Sequence, residues 1–137
     1  MCRGGSRLLA VLLTLALIGG AGCDWSNAGG TSPSPTLPPV ISGVSPATAA
    51  VGDTVVIAGS GFASVANHTK IGPGYVHNLP SPNGTSISFT LPRYVDVCPP
   101  FTDGACVALV MEVTAGTYQL SVITRNGTSN AVDLVMR

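Results

Sequence analysis

The sequence predicts an all-β fold, an antiparallel β-sandwich of about seven short strands over residues 40–137. Three observations predict it. Apolar residues alternate at period two in Val55/Ile57, in Ile87/Phe89/Leu91, in Tyr118/Leu120/Val122 and in Val132/Leu134/Met136. Gly, Pro and Asn turn signals divide these segments at short intervals. No stretch within these residues carries a convincing helical period.

Val40 to Pro46 reads as a first strand, stopped or bent at Pro46, and proline's missing amide proton places it at an edge. Val51-Gly52-Asp53-Thr54 turns the chain into Thr54–Phe62, the segment on which the rest is layered. There Val55 and Ile57 face inward, Gly59 leaves room for another backbone, Gly61 permits a turn conformation and Phe62 returns to the core. Thr69 to Gly72 gives a short third strand with Lys70 outward, and Tyr75 to Leu79 adds another. Asn83-Gly84 turns into the strand that carries Ile87, Phe89 and Leu91. Gly116 to Val122 repeats the pattern, and Asn126-Gly127 leads to a last strand with Val132, Leu134 and Met136 on one face.

Five blocks in this order carry a family resemblance: Val44-Ser45-Pro46, Gly52-Asp53, Val55 to Phe62 with its Gly-Ser-Gly-Phe bend, Gly116-Thr117-Tyr118, and Asn126-Gly127-Thr128-Ser129-Asn130-Ala131. Together they resemble the IPT/TIG domain across residues 40–137. The resemblance implies an immunoglobulin-like sandwich and no catalytic residues. Members occur in plexin-type receptors, certain transcription factors, and bacterial surface and secreted carbohydrate-active proteins. Arg93 to Thr114 departs from the family, being longer than the usual link into the Gly-Thr-Tyr strand.

Ahead of that domain lies an address. Arg3 and Arg7 precede the apolar run Leu8–Ile18, and Gly19-Gly20-Ala21-Gly22-Cys23 follows, so residues 1–22 are expected to be a secretory signal peptide. The run is well short of the roughly 20 residues of a membrane-spanning helix. Gly20-Ala21-Gly22-Cys23 resembles a bacterial lipobox with Gly20 where the pattern prefers Leu, which makes Cys23 the candidate lipidation site. The competing reading is an ordinary cleaved signal that leaves Cys23 a free thiol. Residues 23–39, rich in Ser, Gly, Thr and Pro, then form a flexible tether, and Trp25 suits a headgroup layer beside the anchor. The expected location is the cell envelope, exported and held to the membrane through a lipid, with inner or outer membrane left open.

Charge narrows the partners. The whole chain has six basic and six acidic residues; loss of Arg3 and Arg7 with the leader leaves four against six, a net charge of −2. The remaining cations are scattered, so no nucleic-acid partner is expected. The sequence has no Gly-x-Ser-x-Gly elbow, no evident triad and no carboxylate pair in a recognisable motif, so neither catalysis nor a cofactor is expected. His68 and His77 lack Cys or carboxylate companions at zinc-like spacing and are read as surface or strand residues, with no metal. Three Asn-x-Thr sequons, at Asn67, Asn83 and Asn126, are read as structural.

Cys98 and Cys106 are expected to form a disulfide that stiffens a hairpin with arms Tyr94–Val97 and Val107–Val113 and with Phe101 near its tip. Two readings of that hairpin stand: a contact surface for a protein or glycan partner, or a staple that keeps a long loop from fraying. A sugar platform needs exposed aromatics, for which Tyr75, Tyr94 and Phe101 are the candidates. The function expected is a displayed module for protein interaction or a structural role in the envelope, with a glycan-binding module as the alternative.

Overall fold

The computed structural model describes residues 37–102, 106–107 and 109–137. The signal-peptide, Cys23 and Trp25 readings therefore lie outside the described residues. Among the described residues eleven strands follow in order: β1 Val40–Ser45, β2 Thr48–Ala49, β3 Thr54–Ser60, β4 Asn67–Ile71, β5 Gly74–Leu79, β6 Ser86–Thr90, β7 Tyr94–Asp96, β8 Val110–Glu112, β9 Gly116–Thr124, β10 Gly127–Thr128 and β11 Val132–Met136. The count exceeds seven because two- and three-residue pieces such as β2, β8 and β10 are too short to show a period in the sequence.

Two sheets face each other. One has the order β1-β3-β6, with β3 central and β1 at an edge, as the proline at position 46 requires. The other runs β2-β11-β9-β4-β5-β7-β8, and β10 pairs with β9 beside that path. All pairings are antiparallel except β2 with β11, which is parallel and ties Thr48 to Val135 and Ala49 to Met136. At that one ladder the chain beyond Pro46 leaves the first sheet and joins the edge of the second, so the antiparallel sandwich carries a single parallel pairing among the described residues.

The core lies between the sheets. Ile41, Val55, Ile57, Ile87 and Phe89 line one inner face, and Ile71, Val95, Leu120, Val122, Leu134 and Met136 line the other. Phe62 is buried among them. At Gly59 a Cβ would overlap the Val40 carbonyl oxygen and lie 2.6 Å from Phe62 Cζ, so the missing side chain is what lets β1 and the phenyl ring close on β3. Pro39 is already buried at the entry to the domain.

One irregularity ends the regular β4–β5 ladder. The register of β4 against β5 shifts between Asn67 and Thr69, so His68 faces two residues of β5, His77 and Asn78, and Asn78 takes φ 58°. Asn67 is buried there, and its side chain ties the β3–β4 connection to β5. Its Oδ1 accepts from Ala63 N at 2.8 Å, and its Nδ2 donates to Ala63 O at 2.6 Å and Leu79 O at 2.9 Å.

Candidate functional site

Alternation decides which side chains reach the outer face of the larger sheet. Thr69 and Ile71 of β4 point to the core, so His68 and Lys70 point away from it; Val95 of β7 is buried, so Tyr94 and Asp96 point outward. The ladders then align Ile123 with His68 and Ser121 with Lys70, Tyr75 and Asp96. His77, two residues beyond Tyr75 on β5, shares that face and continues the same ladder opposite His68.

On this face four rings form a continuous row. Phe101 stands edge to face on His68 with centroids 4.8 Å apart, His68 meets His77 at 5.1 Å, and His77 stacks on Tyr75 at 5.9 Å. The two imidazoles share a hydrogen bond, Nδ1 to Nδ1 at 2.8 Å. Asp96 Oδ2 lies 3.7 Å from His77 Nε2. His68 is 6% exposed, and burial first, then the charge of His77, hold its pKa below the ordinary 6.5. Thus both histidines are strand residues, but His68 is covered rather than at the surface. Among the described residues no group of three or more His, Cys, Asp or Glu converges as a metal site would require.

The hairpin has the expected arms. Tyr94, Val95 and Asp96 pair with Glu112, Met111 and Val110, and Val97 N donates to Leu109 O at 3.0 Å. At its base Arg93 holds Glu112 Oε1 through both Nε and Nη2 at 2.9 Å, and the guanidinium lies 5.7 Å from the Tyr94 ring centroid. Cys98 and Cys106 form a disulfide with Cα atoms 5.9 Å apart. Phe101 does not stand free: φ 60° turns it back so that its ring leans on His68, with Arg125 of the β9–β10 turn over it at 5.9 Å.

The structure therefore joins Phe101 and Tyr75 through the histidine pair and places Tyr94 on the same sheet face. Phe101 and Tyr94 remain about half exposed, at 48% and 51%. Beside Phe101 an open groove of about 530 Å³ runs along Thr102, Ile123, Thr124, Arg125 and Thr128. The histidine row was missed as a unit. Period two in Asn67–Ile71 was enough to set His68 outward, but the register that puts His77 opposite it leaves no signature in residue type.

Comparison with known proteins places the fold. The IPT/TIG domain family model matches residues 39–135. Among solved structures, gamma-CGTase from alkalophilic Bacillus clarkii aligns at 27% identity and TM-score 0.53, over 73% of this chain and 12% of its own. SGBP-B from a complex xyloglucan utilization locus in Bacteroides uniformis aligns at 24% identity and TM-score 0.43, over 73% and 22%. SGBP-B of the Bacteroides ovatus mixed-linkage glucan utilization locus, in complex with a mixed-linkage heptasaccharide, aligns at 17% and 0.42, over 66% and 20%. The chain thus spans only 12–22% of the length of these structures. No curated protein matches it. With the five sequence blocks, the two-sheet topology and the family match over residues 39–135 in agreement, the chain belongs to the IPT/TIG domain family.

Proposed function

We propose that this chain is an exported, non-catalytic binding module whose contact surface for a partner protein is the disulfide-closed hairpin. The observation that carries the reading is the distribution of exposed apolar side chains. Tyr94, Phe101, Val107, Leu109 and Val110 all lie on the hairpin, whereas Leu37, Val40, Val51, Val56, Val65 and Val135 are scattered over the remainder. Isolated exposed apolar residues are ordinary, but a concentration of them on one pre-stiffened element is the pattern of a contact site. The match to a small fraction of a much longer enzyme also supports a module rather than a catalytic unit.

Phe101→Ala tests this reading through cross-linking and pull-down from intact envelopes. Loss of a specific captured protein with an unchanged melting temperature supports the contact role; full capture leaves the hairpin a staple. A second reading, glycan binding, is favoured by the half-exposed Phe101 ring beside the Thr- and Arg-lined groove. It fails if a glycan array gives no signal.

The proposal includes a lipid anchor at Cys23, with residues 1–22 removed and 23–39 as tether. Several acyl chains hold stably where one is marginal, at about 0.8 kcal/mol per buried methylene. Unchanged membrane attachment and mass in Cys23→Ser would defeat that part alone.

A further inference from the structure

His68 and His77 hold each other through a single proton. Two Nδ1 atoms at 2.8 Å need one donor and one acceptor. Asp96 beside Nε2 of His77 favours the proton of neutral His77 on that nitrogen, which leaves its Nδ1 to accept from His68 Nδ1–H. One proton added to the pair leaves one ring a donor at Nδ1. The ring that stays neutral then carries its own proton on Nε2 and accepts at Nδ1, so the bond survives. A second proton sets two N–H donors and two positive charges against each other, and the pair must open.

We propose that this pair is an acid-operated latch on the hairpin tip: doubly protonated, His68 and His77 part, and Phe101 leaves its place on the sheet. The inference rests on the reading of that tip as the contact surface, and it adds the condition under which the surface is presented. Its direction follows from what surrounds His68. Lys70 shares the outer face of β4, His77 and Tyr75 come from β5, Asp96 from β7, and Arg125 from the β9–β10 turn. Arg93 is neutralised by Glu112 at the base of the hairpin. Double protonation therefore adds two cations to a face that holds Lys70 and Arg125 against Asp96. A charged His68 needs water, and the ring seated on it is Phe101. That ring already has the Arg125 guanidinium over it, so it is a poor host for a second cation. Burial of His68 puts the second step on the acid side of its ordinary range.

The test is an NMR titration of the full chain from neutral pH down to about 4, following the imidazole and Phe101 ring resonances and the β9 amides. The expected result is that the Phe101 resonances stay unmoved while the pair holds one added proton and then shift in step with His68. His77→Gln keeps a side-chain partner for His68 and cannot become a cation, so Phe101 should stay seated through the same range. Phe101 resonances that ignore the His68 step, or that move equally in His77→Gln, overturn the latch. Loss of β9 amide dispersion in that step overturns it too, because the sandwich itself would then be opening. None of these readouts needs a partner. A Phe101→Ala variant that still captures its partner sinks the contact reading and leaves the latch standing.

Discussion

The side chain of Asn130 acts as a strand partner for Ile41, 89 residues away: its Oδ1 accepts from Ile41 N at 2.8 Å and its Nδ2 donates to Ile41 O at 3.0 Å. One amide thus stitches β1, at the edge of the smaller sheet, to the connection before β11 in the larger one. Asn130→Ala leaves both main-chain groups of Ile41 without these partners and should cost about 1–3 kcal/mol. At roughly 4–8 °C per kcal/mol for a domain of this size, a thermal melt resolves the loss. Asn130→Asp keeps the acceptor but turns a carboxylate oxygen toward Ile41 O, and it should also melt lower than the parent. A melting curve unchanged in both variants would remove Asn130 from the list of structural ties.

Gly59 makes a complementary prediction about space. A Cβ there meets the Val40 carbonyl oxygen and Phe62 Cζ together, and the first of these belongs to a backbone held in the β1–β3 ladder. Gly59→Ala should therefore destabilise by about 1–3 kcal/mol through overpacking. Gly43, with nothing near its missing Cβ, is the control, and Gly43→Ala should melt close to the parent.

These two positions also show what the sequence could tell. The Gly-Ser-Gly-Phe bend and the Asn-Gly-Thr-Ser-Asn turn were recognisable because each needs particular residue types: a glycine where backbones touch, and an asparagine amide that carries both a donor and an acceptor. Alternation in β3, β6, β9 and β11 was legible for the same reason, since one buried face forces period two. The β2–β11 ladder was not, because two-residue pairings are decided by where the chain happens to pass. The site was half legible. Cys98, Cys106 and the exposed Phe101 and Tyr94 followed from residue type and compartment, whereas the His68–His77 bond depends on the register of β4 against β5 and the Phe101–Arg125 contact on how Phe101 turns back.

Thr69 carries the opposite kind of information, a polar atom that gains nothing. It is fully buried on the inner face of β4, and its Oγ1 has no hydrogen-bond partner. Burying an unpaired hydroxyl costs free energy, by about 1–3 kcal/mol on protein scales. Thr69→Val keeps the branched shape and removes that cost, so the variant should be at least as stable as the parent and melt higher. A lower melting temperature would mean that the hydroxyl is bonded in solution, most simply to a water.

The pH dependence of stability has a fixed sign at His68. Its folded pKa lies below the unfolded value of 6.5. As pH falls through 6.5 the unfolded chain takes up a proton that the folded chain refuses, so stability declines there. The decline ends once the pH passes below the folded value. Above 6.5 this group contributes no slope. The His68 contribution to melting temperature should thus be flat above neutrality and fall below it, so His68→Gln should lessen the acid-side slope.

The disulfide should stabilise locally more than globally. Cys98 and Cys106 are separated by 8 positions, and a loop of that size restricts the unfolded chain by roughly 2–3 kcal/mol in the loop-entropy account. Yet the hairpin ends at β8, the outer edge of the larger sheet, whose ladder reaches the core strands through β7. Its arms are closed independently by the β7–β8 ladder, by Val97 N to Leu109 O, and by Arg93 on Glu112. A Cys98→Ser, Cys106→Ser variant can therefore loosen the hairpin while β9 and β4 stay paired. Hydrogen exchange should speed up at the amides of Val97 and Val113 and stay slow at Leu120 and Val122. Because Phe101 sits inside the closed loop, the His68 ring should also become more accessible in this variant, with its pKa moving back up toward 6.5. Uniform acceleration across both sheets would instead make the bridge a support of the whole sandwich.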